Sequence, residues 1–102
     1  MKKAAHDTDR KQIKQLQQII NVGKSMEGDF HRLGITKPQQ LIGRDPLKLY
    51  QQICKVDGVR HDPCVLDCFM AAVSYMDGNP PRVWWDFTST RKRKYKIEDK
   101  KK

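Results

Sequence analysis

Two Asp-Pro pairs, and the Asp-Gly pairs that answer them, constrain this chain more than anything else in it. Asp45-Pro46 opens a stretch that closes at Asp57-Gly58, and Asp62-Pro63 opens another that closes at Asp77-Gly78. An aspartate side chain accepts from the first helical amides, and a first-turn proline gives up only an amide that has no helical partner there. Glycine then supplies the left-handed residue that ends a helix. Between these marks, Leu47, Tyr50, Ile53 and Cys54, with Val56 at the margin, recur at helical spacing. The later segment carries Val65, Leu66, Phe69, Met70, Ala72 and Val73, apolar on nearly every side, and is expected to be the central buried helix. Nothing alternates with period two over a useful length, so no strand is expected.

The first half reads as a similar pair. A helix is predicted from Thr8 to Ile20, capped by Asp7 or Thr8, on the spacing of Ile13, Leu16, Ile19 and Ile20. Asn21-Val22-Gly23 breaks it, and a second helix runs from Ser25 to Leu33 with Met26, Phe30 and Leu33 on one face, stopped by Gly34. Pro38 to Leu41 is a short helical turn ended by Gly43. The expected fold is therefore all-α, a small bundle of two helical hairpins, Thr8–Leu33 and Asp45–Met76, with about four or five helices in all. At 102 residues there is room for one core. The expected division is a flexible N-terminus over residues 1–7, a helical domain over 8–90 and a basic disordered tail over 91–102.

Charge bears on the partner. Lysine and arginine number 21 against 12 acidic residues, a net +9. Residues 91–102 alone hold eight basic residues against Glu98 and Asp99, a net +6, so the body carries only +3. No apolar run approaches the roughly 18 residues of a membrane span. Met1 to Asp7 has two lysines but no apolar stretch behind them, unlike a secretory signal. Three cysteines, an odd number, fit reduced thiols in a cytoplasm.

The segment Leu16 to Met26 carries the functional signal. Its two apolar residues, tight Asn21-Val22-Gly23 turn and following helix resemble a helix-hairpin-helix motif, with Val22 as the buried hairpin residue. A tight turn ending at a helix N-terminus leaves N–H groups unpaired with the helix dipole behind them, which attracts a phosphate oxygen. Lys24 and Ser25 add a charge and a hydroxyl. Asn21 stands where the motif usually has its first glycine. Glu27 falls where it usually has a small residue between the helices, a role that Gly28 can take. The opposing reading is an αα-turn used only for packing.

Asn21-Val22-Gly23-Lys24, Leu33-Gly34-Ile35, Pro38 with Leu41-Ile42-Gly43, Asp45-Pro46 with Leu49-Tyr50, Arg60-His61-Asp62-Pro63-Cys64-Val65-Leu66-Asp67 and Trp84-Trp85 with Phe87 form a wider pattern. Together, over Ile13 to Arg91, it resembles the pathogenicity-locus proteins, a small bacterial family also described as mitomycin-resistance-like helix-hairpin-helix proteins. The resemblance implies a helix-hairpin-helix fold and DNA binding, and no established activity.

Three other groupings were open to a functional reading. His61, Cys64 and Cys68, with Cys54 one hairpin away, have the residue types of a zinc site, but cysteines on an apolar helix are more simply core. Arg60 beside the start of the later helix offers a second phosphate contact, or Asp62 merely caps and His61 bonds to backbone. Trp84-Trp85 and Phe87 close the core, or form a stacking platform beside the basic tail. No carboxylate pair or Ser/His/Asp arrangement is present to support an enzyme. The expectation is thus non-sequence-specific DNA binding to the phosphate backbone, in DNA repair or the response to damage, with neither cofactor nor membrane. The residues expected to carry it are Asn21, Val22, Gly23, Lys24, Ser25, Arg60, Arg91, Lys92, Arg93 and Lys94. The alternative is a protein–protein adaptor.

Overall fold

The computed structural model describes residues 13–19 and 21–97. Among these the chain is all-helical: α1 (Lys24–Arg32), α2 (Pro46–Asp57), α3 (Cys64–Met76) and α4 (Thr88–Tyr95), with 3₁₀ turns at Leu16–Gln18, Pro38–Leu41 and Trp84–Phe87. No strand occurs among the described residues, and no helix there is long and apolar enough to cross a membrane.

The capping chemistry works as the sequence reads. Asp45 Oδ1 accepts from the Leu47 amide at 3.0 Å, and Asp62 Oδ1 accepts from the Cys64 amide at 3.0 Å. Gly58 follows α2 in the left-handed region (φ 69°), and the Val59 amide folds back on the Cys54 carbonyl. α3 is the central helix, with nine of its thirteen residues buried. α2 packs beside it, joined by a short connection. α1 meets it through Phe30 and Phe69, whose stacked rings have centroids 5.2 Å apart.

The segment before α1 departs from expectation. The predicted helix Thr8–Ile20 falls partly outside the described residues, as does the flexible N-terminus over residues 1–7. Residues 13–19 form one 3₁₀ turn with extended backbone at Gln15 (φ −122°, ψ 140°) and Ile19 (φ −77°, ψ 138°). Two causes are visible. Gln18 Oε1 accepts from the amides of Lys14 and Gln15 at 2.9 and 2.8 Å, offering the backbone a partner other than a helical carbonyl. The buried residues Ile13, Leu16, Ile19 and Val22 recur every three positions. Such a row spirals off one face of an α-helix but stays aligned on a backbone with three residues per turn. Of the two expected hairpins, α2–α3 is present, whereas α1 has no described helix before it.

The chain end departs too. Residues 91–95 belong to α4, so the basic segment is not a disordered tail from Arg91 onward. The cause is Asp67, fully buried on α3. Arg91, 1% exposed, meets it with Nε on Oδ1 at 2.9 Å and Nη2 on Oδ2 at 3.0 Å. Thr88 Oγ1 donates to Asp67 Oδ2 at 2.7 Å, and Arg91 Nη1 donates to the Ile97 carbonyl at 2.8 Å. A buried carboxylate is tolerable only with such a complete set of donors.

Removing one partner strands a buried charge, so Asp67→Ala and Arg91→Met should each destabilise by about 3–5 kcal/mol. Asp67→Leu combined with Arg91→Met should recover part of that loss. Urea unfolding midpoints check this, and a single-variant loss below about 1 kcal/mol would contradict it.

Candidate nucleic-acid interface

The turn into α1 rests on Asn21, which takes a positive φ of 72°. Asparagine is one of the few non-glycine residues that enter this region readily. That accounts for its presence where the motif has glycine, and the side chain gives a second reason. Asn21 Nδ2 donates to the Arg82 carbonyl at 2.8 Å, fastening the turn to the segment ahead of Trp84. The Val22 amide closes on the Ile19 carbonyl at 3.1 Å, and the Val22 side chain is buried.

Gly23 is the N-cap of α1 (φ −103°, ψ −165°) and has no side chain to satisfy the first amides. Gly23, Lys24 and Ser25 are all exposed. A Cβ at Gly23 would meet nothing within 4 Å among the described residues, so this glycine keeps the helix end open rather than relieving a clash. Gly28 does not serve as a close-packing contact between helices: a Cβ there meets only Arg32 Nη1, at an ordinary 3.7 Å. Glu27, the one acid of the first turn, accepts from Gln17 Nε2 at 2.7 Å and lies 3.9 Å from His31 Nε2.

Arg82 carries this turn into a basic groove. With Arg44 and Lys94 it lines a groove of about 330 Å³ whose floor includes Met70, Val73 and Phe87. The Arg82 guanidinium lies 4.6 Å over the Phe87 ring and contacts Asp86. Asp77, the acid in this groove, accepts from the Gly43 amide at 2.8 Å. Arg44 also lines a neighbouring groove of about 640 Å³ that runs along α2 past Lys48, Gln51, Gln52 and Lys55. Arg44 is thus common to both grooves, and Arg82, whose carbonyl holds Asn21, lines the first of them.

The structure sorts the expected site residues. Asn21, Gly23, Lys24 and Ser25 form the open helix end, with Val22 as its buried anchor. Lys94 joins them through the groove shared with Arg82, while Arg93 is exposed on α4. Lys92 is half-buried and engaged with a neighbour. Arg91 is not available to a ligand, because it is buried and its Nε and Nη2 donate to Asp67 and its Nη1 to the Ile97 carbonyl. Arg60 is at the wrong end. It follows the Arg32–Asp57 contact that joins the finishing ends of α1 and α2, and α1, nine residues long, separates that contact from Gly23 by about 13 Å.

Sequence reasoning missed Arg44, Lys48, Lys55 and Arg82. The first three had a signal, since 44, 48, 51, 52 and 55 are spaced as one helical stripe. Arg82 had none, because its role depends on a contact 61 positions away.

His61 is engaged within the fold. Its Nε2 meets Asp57 Oδ2 at 2.7 Å, and its amide donates to Cys54 Sγ at 3.3 Å. Arg32 first, then His61, holds the Asp57 carboxyl below its usual range. Among the described residues no three potential ligands converge. All three cysteines are free thiols.

With this geometry, a family model described as "pathogenicity locus" matches residues 9–93. The chain belongs to the pathogenicity-locus family. It is similar to the mitomycin resistance protein McrB of Streptomyces lavendulae, at 47% identity over 75 residues, which is 74% of this chain and 71% of the relative. No solved structure matches.

Burial pushes the Cys64 thiol up to about 11, helped by Asp62, and the Cys68 thiol up to about 12. Both should therefore resist iodoacetamide at pH 8 in the folded protein and label quickly in urea, because the thiolate is the reactive form. Peptide mass spectrometry reads this. Rapid labelling of both in the folded chain would contradict the described environment.

Proposed function

We propose that this member of the pathogenicity-locus family is a non-catalytic module that binds the phosphate backbone of DNA without reading sequence. The observation that carries the reading is the Asn21–Arg82 hydrogen bond, which ties the turn before an uncapped helix N-terminus to a residue of the basic groove. In this reading the Asn21-Val22-Gly23 turn acts as the hairpin does in a helix-hairpin-helix, with a 3₁₀ turn directly ahead of it in place of an α-helix. The amides of α1 receive one phosphate, and Arg44, Lys48, Lys55, Arg82 and Lys94 neutralise its neighbours. Free thiols are consistent with a cytoplasmic setting. A place in DNA repair or the response to damage would accord with the mitomycin resistance in the relative's name. A protein-adaptor reading is favoured by one observation, the exposed Val56 and Val59 on either side of Gly58.

Anisotropy of a labelled duplex across a salt series tests the proposal. Each neutralised phosphate contributes a slope of about −0.9 in log K against log salt, so roughly five contacts give about −4 to −5. Gly23→Asp has room for its side chain and supplies a good N-cap, so it should fold at least as well. It should nevertheless bind about tenfold more weakly, because its carboxylate occupies the phosphate position, a loss of about 1.4 kcal/mol. Loss of binding in Lys48→Glu/Lys55→Glu but not in Gly23→Asp would make the helix end structural. No binding at low salt would overturn the proposal in favour of the adaptor.

A further inference from the structure

Trp85 is 59% exposed, although an indole is among the costliest side chains to leave in water. Its position is set by the turn that carries it. In the 3₁₀ turn Trp84–Phe87, residues three apart eclipse each other. Trp84 packs against the core and Phe87 is buried, so the shared side of the turn faces inward. Trp85 stands a third of a turn away and is held outward. The Trp84 ring braces it, with centroids 5.5 Å apart and planes at 86°. An indole fixed in this way loses little conformational freedom when something stacks on it.

Basic residues flank it along the chain. Arg82, three residues earlier, lines the cationic groove, and Arg93 and Lys94 lie on the helix that follows directly. Asp86, the acid beside it, is contacted by Arg82. An apolar partner protein would not call for this charge, whereas a polyanion with accessible aromatic faces matches both features. Within a duplex the base faces are already stacked on one another. In a single strand they are free, and stacking on an aromatic side chain beside a positively charged path is the general mode of single-strand capture.

Building on the phosphate-binding reading, we propose that the preferred ligand of this surface is single-stranded DNA, with one unpaired base stacked on Trp85 while the backbone follows the basic groove.

The test uses the full chain and three labelled ligands of about 12 nucleotides: oligothymidylate, an abasic strand with the same phosphates, and a duplex. Oligothymidylate should bind more than fivefold more tightly than the abasic strand and should quench tryptophan fluorescence. Trp85→Ala should weaken oligothymidylate binding by at least about fivefold, the loss of one stacked base, and leave duplex binding within about twofold. Trp85→Phe should keep most of the affinity, and unchanged thermal unfolding would show both variants folded. Equal binding of the abasic and thymidine strands, or no effect of Trp85→Ala, would overturn the inference. Duplex binding that persists in that case leaves the phosphate reading standing, whereas failure of all three ligands at low salt removes both.

Discussion

The buried ion pair between Asp67 and Arg91 is the contact on which the C-terminal half of the candidate site depends. Asp67 is fully buried in the first turn of a largely apolar helix, where an uncompensated carboxylate would be severely destabilising. Arg91 answers it with two parallel hydrogen bonds, the strongest geometry available to this residue pair. Meeting that demand pulls α4 onto α3 and traps the 3₁₀ turn between them. From there the consequences run outward. The turn buries Phe87, turns Trp85 to the surface and fixes Arg82, whose carbonyl receives the Asn21 side chain. A requirement deep in the core thus decides where Arg82 and Lys94 stand.

The fold was legible wherever local chemistry decided it. Asp45-Pro46 and Asp62-Pro63 start helices, Gly34 and Gly58 end them, and each result follows from backbone groups a few residues apart. The sequence misled where a nonlocal partner or a competing side chain intervened. Ile13, Leu16 and Ile19 fit a helical period within the tolerance of such readings. The every-third-residue row became visible only with Val22, and Gln18 captures the very amides that a helix would have used. At the other end, Arg91-Lys92-Arg93-Lys94 looks like any solvated basic run. Nothing nearby reveals that its first member is matched to Asp67 across 24 positions.

The candidate site divides along the same line. The Asn21–Ser25 turn was readable because its geometry is local: a residue tolerant of positive φ, an apolar anchor, then a bare helix end. Arg60 was misplaced because sequence order does not say at which end of α1 a loop arrives; that is settled by Arg32 and Asp57. The α2 stripe was within reach, since its period is visible once the helix is accepted. Arg82 was out of reach, since its importance comes from two contacts, with Asn21 and with the Arg44–Lys94 groove, that only the fold creates.

The central claim is that a helix N-terminus and a distant basic groove form one continuous phosphate-binding surface. Backbone amide NMR during titration with an oligonucleotide at low salt tests this most directly, because it reports each part separately. The account predicts shifts at Gly23 to Met26, at Arg82 to Trp85, at Lys94 and along Arg44 to Lys55, with Val56 to His61 unaffected. Shifts centred on Val56 to His61, or none at any ratio of oligonucleotide, would contradict it.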